Sequence, residues 1–318
     1  MEKQLETILA IELPYRETLK LQRSVYRGTG DGPRVAVVAG IHGDELEGLY
    51  VCHRLAAWLE ELARTQPNAL SGQVELYPSL NPLGLDTLQR AIPVYDSDLN
   101  CSFPGHPEGL LPQRIAAAVI EHLQEKALVL DIHASNVYLR EMPQVRIDQR
   151  FADNLIPLTK HMNLSAIWVQ DATTVRENTL AYTLNDNGVP CLMIEMGAGM
   201  GLTPAFTEQL LIGILAIWQN LGVLAPELKL TPPTHDPLIF NDSAIYRLNA
   251  DTSGLFVPIV QQGGSVQLNE LVGRIVSPFE GPTLAEVRSP VSGTLLTLRE
   301  YPLVYEGSLL ARVVSVAK

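Results

Sequence analysis

The stretch RVAVVAGIHGDELEG, residues 34–48, passes from an apolar, β-branched run directly into a histidine and three carboxylates. An unbroken apolar run bounded by glycine is the pattern of a strand buried on both faces, as in a parallel sheet covered by helices. Polar groups gathered at its carboxyl end are expensive to bury without a use. In open α/β sheets that end is where ligands collect.

The same alternation continues outward. Further strands are predicted at 72–80, 127–134, 166–171 and 190–197, and amphipathic helices at 44–65, 112–126 and 204–222. Residues 35 to about 222 are therefore read as α/β, with a mostly parallel sheet covered by helices. The proline-rich segment LAPELKLTPPTHDPLIF (224–240) has no helical period and is read as a linker. This divides the chain into a 1–230 catalytic unit and a 241–318 unit of short strands separated by glycines. Within the second unit, GSVQLNELVGRIVS (264–277) and GSLLARVVS (307–315) are similar enough to suggest two related halves.

Composition narrows the functional classes. The chain has 318 residues, 46% of them hydrophobic and 18% charged, which is ordinary for a globular protein able to bury a full core. The net charge of −12, with no Lys/Arg run, argues against nucleic acid as a partner. No apolar stretch is long enough for a spanning helix, and the charged N-terminus lacks a signal core, so neither membrane nor export is expected. Cys52, Cys101 and Cys191 are odd in number and widely spaced, which fits a cytoplasmic protein better than a disulfide scaffold.

Three strands end in groups that carry chemistry. His42 and Glu45 follow the first, His133 ends LVLDIH, and Glu195 ends CLMIE. An H-x-x-E pair with a distant histidine supplies two imidazoles and a carboxylate, the donor set of a hydrolytic zinc site with one position left for water. Gly40 and Gly43 relieve crowding there. Asp131 is either an outer carboxylate orienting His133 or simply a buried, hydrogen-bonded Asp. Asp44 is expected to cap the following helix, with Glu47 on its solvated face. Glu195 is the candidate base, a structural ion pair being the alternative. The following MGAGMG lacks the spacing of a phosphate loop. The other histidines have no comparable setting.

GIHGDELEG, NPLGLDTLQRAIPVYDSDLNCSFPG (81–105), DIH (131–133) and IEMG (194–197), in this order, resemble the aspartoacylase and succinylglutamate desuccinylase family, which has the zinc carboxypeptidase fold. The resemblance implies a single zinc ion per chain on His42, Glu45 and His133, a mixed sheet with helices on both faces, and Glu195 as the catalytic glutamate. It also implies Arg90 as the residue polarising the scissile carbonyl and Asn100 as a substrate contact. Where the family usually has an arginine for the substrate carboxylate, this chain has Cys101. Arg140, Arg146 and Arg176 are the candidate replacements; Cys101 as a nucleophile or fourth ligand is a further alternative. The last unit resembles a lipoyl/biotinyl-like barrel-sandwich, but residues 241–317 contain no lysine to carry a swinging arm. Its expected roles are shaping the cleft, with Tyr246 and Arg247 as the residues that reach it, or joining copies of the chain in a homo-oligomer.

The expected activity is that of a zinc-dependent amidohydrolase acting on a small N-acyl amine. The rival readings are a zinc carboxypeptidase and a metal-dependent binding protein whose catalysis has decayed.

Overall fold

The structure is a computed structural model that describes residues 1–14 and 18–315. The chain opens with two strands the sequence reading did not anticipate, β1 (Glu2–Glu12) and β2 (Thr18–Arg27), paired antiparallel. β1 is a largely exposed edge ribbon, so its charges mark a solvated strand and leave no core signature. There follow β3 (Arg34–Ala39), α1 (Glu47–Thr65), β4 (Gln73–Tyr77), the short α2 (Pro82–Thr87), α3 (Leu111–Leu123) and β5 (Leu128–His133). Next come β6 (Leu139–Asp148), α4 (Ala152–Thr159), β7 (Ala166–Gln170), α5 (Leu180–Asp186), β8 (Cys191–Gly197) and α6 (Pro204–Asn220). All five strands read from the sequence form, within a residue or three of the expected limits. β6, LREMPQVRID, was missed because charges and a proline interrupt its apolar alternation.

The C-terminal part adds β9 (Leu238–Asn241), β10 (Ile245–Asn249), β11 (Gly254–Pro258), β12 (Ser265–Val266), β13 (Leu271–Val276) and β14 (Thr283–Arg288). It ends with β15 (Gly293–Arg299), β16 (Leu303–Val304) and β17 (Leu309–Val314). Residues 316–318, read as the end of the last strand, lie outside the described residues. The end of the expected linker is in fact β9, which pairs in parallel with β7.

The main sheet runs β1-β2-β4-β3-β5-β8-β6-β15-β17-β10, and β14-β13-β11-β16 make a second, four-stranded sheet. β4, β3, β5 and β8 are mutually parallel, whereas β2 against β4 and β6 against β8 are antiparallel, so the sheet is mixed. Helices cover both faces, and β3 shows why its sequence is apolar throughout. Val35, Val37 and Ala39 enter a core with α1 and α6, while Ala36 and Val38 enter another with α3 and α5. The C-terminal strands have a core of their own around Phe256, Val272, Ile275, Leu295 and Val313. Because β6 pairs with β8 on one side and with β15 on the other, the two parts share one continuous sheet.

A buried ionic knot fixes the outer parallel strands. Glu75 on β4 accepts bonds from Arg23 at 2.6 Å, Tyr77 at 2.6 Å and Gln73 at 2.6 Å, and lies 2.8 Å from Lys126 Nζ just beyond α3. Burial raises its carboxyl, but the bonds from Lys126 and Tyr77 and the charges of Lys126 and Arg23 outweigh this and hold it below the ordinary 4.5. Its stabilisation is therefore complete above about pH 4.5 and is lost as pH falls through the depressed folded value. Glu75→Gln, which strands the buried Lys126 charge, is expected to cost about 3–5 kcal/mol at pH 7. In urea denaturation the loss should shrink markedly toward pH 3; an equal loss at both pH values would contradict the assignment.

Candidate active site

The parallel β3, β5 and β8 bring their carboxyl ends to one edge of the sheet. His133 is the last residue of β5, and the register places it directly opposite Glu195 of β8. β3 ends at Ala39, and the chain then turns through Gly40, at φ +64°, and carries His42 and Glu45 over the same edge before α1 begins. Gly43 is needed for another reason than expected. A Cβ there would meet the carbonyl carbon of Gly84 at 2.0 Å, so the pair of glycines lets this loop lie flat on α2.

Glu45 is the centre of the cluster. Its Oε1 is 2.7 Å from His42 Nδ1 and accepts from Arg90 Nη1 at 3.0 Å. Its Oε2 is 3.0 Å from His133 Nδ1 and accepts from the Ala134 amide at 3.0 Å. The three side chains are buried, and donor atoms from all of them lie within 4.8 Å of one another. Burial pushes the Glu45 carboxyl up, and the two imidazoles outweigh it and pull the group well below the usual carboxylate range.

Each imidazole turns its other nitrogen to a carboxylate. His42 Nε2 is 3.0 Å from Asp98 Oδ1. His133 Nε2 is 3.1 Å from Asp131 Oδ2, an ion-pair distance without hydrogen-bond alignment. Outer carboxylates of this kind orient metal-binding histidines and raise their basicity. Both Asp131 oxygens and His133 Nε2 are buried without hydrogen-bond partners among the described residues, a cost that positive charge among these groups would lower. Two inward Nδ1 atoms, a carboxylate and this surplus of buried negative charge fit a divalent transition ion.

A cleft of about 600 Å³ opens over the cluster. Glu195 lines it with its carboxylate 3.2 Å from Arg146 Nη1. Burial raises the Glu195 carboxyl above its ordinary value, and Arg146 draws it only part of the way back. Arg90 and Asn100 also line the cleft. Arg90 binds Asp98 at 3.3 Å as well as Glu45. The Asn100 Oδ1 accepts from the Leu180 amide at 3.0 Å, leaving its amide nitrogen as the group available for a ligand.

Several expectations are corrected. Cys101 is outside the donor cluster and outside the cleft lining, with Sγ 3.1 Å from Arg176 Nη1. Arg140 does not line the cleft; it pairs with Glu300 at 3.1 Å in a separate hollow. Arg146 and Arg176 do line it. Asp44 is not the cap of α1, whose N-cap is Leu46 without a side-chain bond. Glu47 is buried, with Oε2 accepting from the Thr203 amide at 3.0 Å, because the glycine loop after β8 folds over it. Tyr246 and Arg247 do not line the cleft; among the described C-terminal residues, Arg312 does. Asp98, Glu141 and Arg312 went unread as functional residues. The D-S-D-L-N run held the only signal for Asp98, and the other two lie on strands whose partners are remote in sequence.

If Asp98 orients His42 for a metal, Asp98→Ala should weaken zinc binding about 10–100-fold. Competition with a chromophoric chelator measures this, and unchanged affinity would remove Asp98 from the site.

Comparison with known proteins agrees with this architecture. The model of the succinylglutamate desuccinylase/aspartoacylase catalytic domain matches residues 31–221, more than half of the chain. The N-alpha-acetyl-L-2,4-diaminobutyric acid deacetylase of Halomonas elongata is 24% identical over 299 residues, covering 91% of this chain and 84% of that protein. Among solved structures, an ectoine utilization protein from Ruegeria pomeroyi with bound product has a TM-score of 0.77 at 21% identity, covering 99% of this chain and 95% of that one. A succinylglutamate desuccinylase/aspartoacylase from Rhodobacter sphaeroides has a TM-score of 0.78 at 21% identity, covering 99% and 96%. By its catalytic-domain match and by the fold that carries its His-Glu-His cluster, the chain belongs to the succinylglutamate desuccinylase/aspartoacylase family.

Proposed function

We propose that this protein is a zinc-dependent deacylase that hydrolyses the amide of a small N-acyl amino acid or closely related amine, with one zinc ion per chain. The family and the deacetylase relative support acyl-amine hydrolysis. The observation that carries the reading is the His42–Glu45–His133 cluster with Glu195 one strand away on the same sheet edge. When bound there, a divalent ion supplies a Lewis acid that polarises a carbonyl and makes water a nucleophile near neutral pH.

The chain's own residues do the rest. Glu195 takes a proton from the attacking water and delivers it to the departing nitrogen as the C–N bond breaks, so the acyl group leaves as a carboxylate and the amine is freed. Arg90 turns a guanidinium toward the carbonyl oxygen as it gains charge. Asp98 and Asp131 hold the imidazoles.

Arg176 supports the choice of an amino-acid substrate. Of the arginines lining the cleft, Arg90, Arg146 and Arg312 each have a carboxylate within 4.0 Å, and Arg176 has none among the described residues. It is the cation left over for a substrate carboxylate, gripped by a charge-assisted, forked contact. The acetylated diamino acid named for the Halomonas elongata relative sets the size class we assign.

Zinc-loaded protein is expected to release acetate from N-acetyl amino acids much faster than it cleaves dipeptides; the reverse order would favour a carboxypeptidase. Glu195→Gln should lower kcat about 10²–10⁴-fold at unchanged zinc content, and full activity in that variant would remove the base. Arg176→Met should raise KM about tenfold or more, the worth of one charge-assisted contact, with little change in kcat. It should have no effect on acyl amines lacking a carboxylate.

A further inference from the structure

Across β8 from His133 lies β6, and from there a chain of charges runs into the C-terminal strands. Arg146 Nη1 is 3.2 Å from Glu195 Oε1, and its Nη2 donates to Glu141 Oε1 at 3.3 Å. The same Glu141 oxygen accepts from Arg312 Nη1 of β17 at 2.7 Å. The other Glu141 oxygen accepts from Thr297 of β15 at 2.6 Å and from Gln144 at 3.0 Å. Both guanidinium groups lie beside the Trp168 ring, 5.0 Å and 5.9 Å from its centroid.

Glu141 is 1% exposed, so its charge requires a cation. Two are present. Arg312 makes the shorter bond, and Arg146 makes a longer one while reaching in the other direction to Glu195. Two arginines and two carboxylates balance: Arg312 is committed to Glu141, and Arg146 bridges Glu141 and Glu195. Were Arg312 absent, the buried Glu141 would have Arg146 as its only ion-pair partner among the described residues, and the stronger demand of the more deeply buried acid would draw Arg146 from Glu195.

We propose that Arg312 is a positioning residue of the catalytic centre: by satisfying Glu141 it leaves Arg146 free to fix the Glu195 carboxylate above the His42–Glu45–His133 cluster. The C-terminal strands are thereby part of the catalytic apparatus, although the catalytic-domain match ends at residue 221. The proposal rests on Glu195 acting as the base.

Crystal structures and steady-state kinetics of Arg312→Met, Arg312→Lys, Arg146→Met and the Arg146→Met/Arg312→Met double variant test it. In Arg312→Met the Arg146–Glu195 separation should exceed about 4 Å, with zinc content unchanged, a displacement on the scale that costs about 10–100-fold in rate. That loss should fall on kcat with KM nearly constant, Arg312→Lys should restore most of it, and the double variant should be no worse than Arg146→Met alone. Should the Met variant fail to fold, Arg312→Gln, which keeps a donor for Glu141 without the charge, reads the same quantities. An Arg146–Glu195 pair still closed in Arg312→Met, or in Arg312→Gln where that replaces it, overturns the proposal, as do losses that multiply or a change confined to KM. If no variant, nor the parent, hydrolyses any N-acyl amine, the functional reading falls by itself, and the Arg146–Glu195 separation still decides the coupling.

Discussion

One buried carboxylate organises the site. Glu45 is removed from water at the edge of the sheet, and both of its oxygens are spent on His42, His133, Arg90 and the Ala134 amide. Such a group is tolerated only where positive charge and donors meet it, and those donors come from three separate places along the chain. The meeting depends on β3 and β5 being adjacent and parallel, so that a loop leaving one strand reaches the end of the other. The apolar β3 makes that adjacency, since a strand buried on both faces has its place in the middle of the sheet.

A second layer of acids surrounds the first. Asp98 and Asp131 face the outer nitrogens of the two imidazoles, and Glu47, the first residue of α1, secures the loop after β8 through the Thr203 amide. Gly197 is constrained by the same contact: a Cβ there would fall 1.9 Å from Glu47 Oε1. The region beside Glu195 is thus shaped by a side chain that a helical wheel assigns to solvent. Burial raises the Glu47 carboxyl, and the Thr203 amide draws it part of the way back.

The C-terminal strands stand in an unusual relation to this centre. They have their own core, yet β15 continues the main sheet through β6, and a seam of Ala166, Trp168, Phe240, Leu296 and Val314 closes the junction. Arg312 crosses that seam to line the cleft. A segment that lacks a lysine for a covalent carrier therefore has an evident structural use in bordering the site, and the electrostatics of the cleft are shared between both parts of the chain.

The sequence by itself marked the central strands, the helices α1, α3 and α6, and His42, Glu45, His133 and Glu195 as candidate residues, because the strands are apolar runs and each candidate is a polar residue at or just beyond a carboxyl end; it did not reveal α2, α4 or α5. It left β1, β2 and β6 unread, since an exposed ribbon and a strand broken by charges and a proline carry no such periodic mark. Only the tertiary structure gave Arg140, Arg146 and Arg176, three arginines alike in sequence, their different surroundings. One pairs with Glu300 outside the cleft, one with Glu141 and Glu195, and one is left without a carboxylate partner among the described residues. The physical reason is that a charge acquires its role from what lies within about 4 Å of it, and for these side chains those neighbours come from strands and loops that sequence spacing does not reveal.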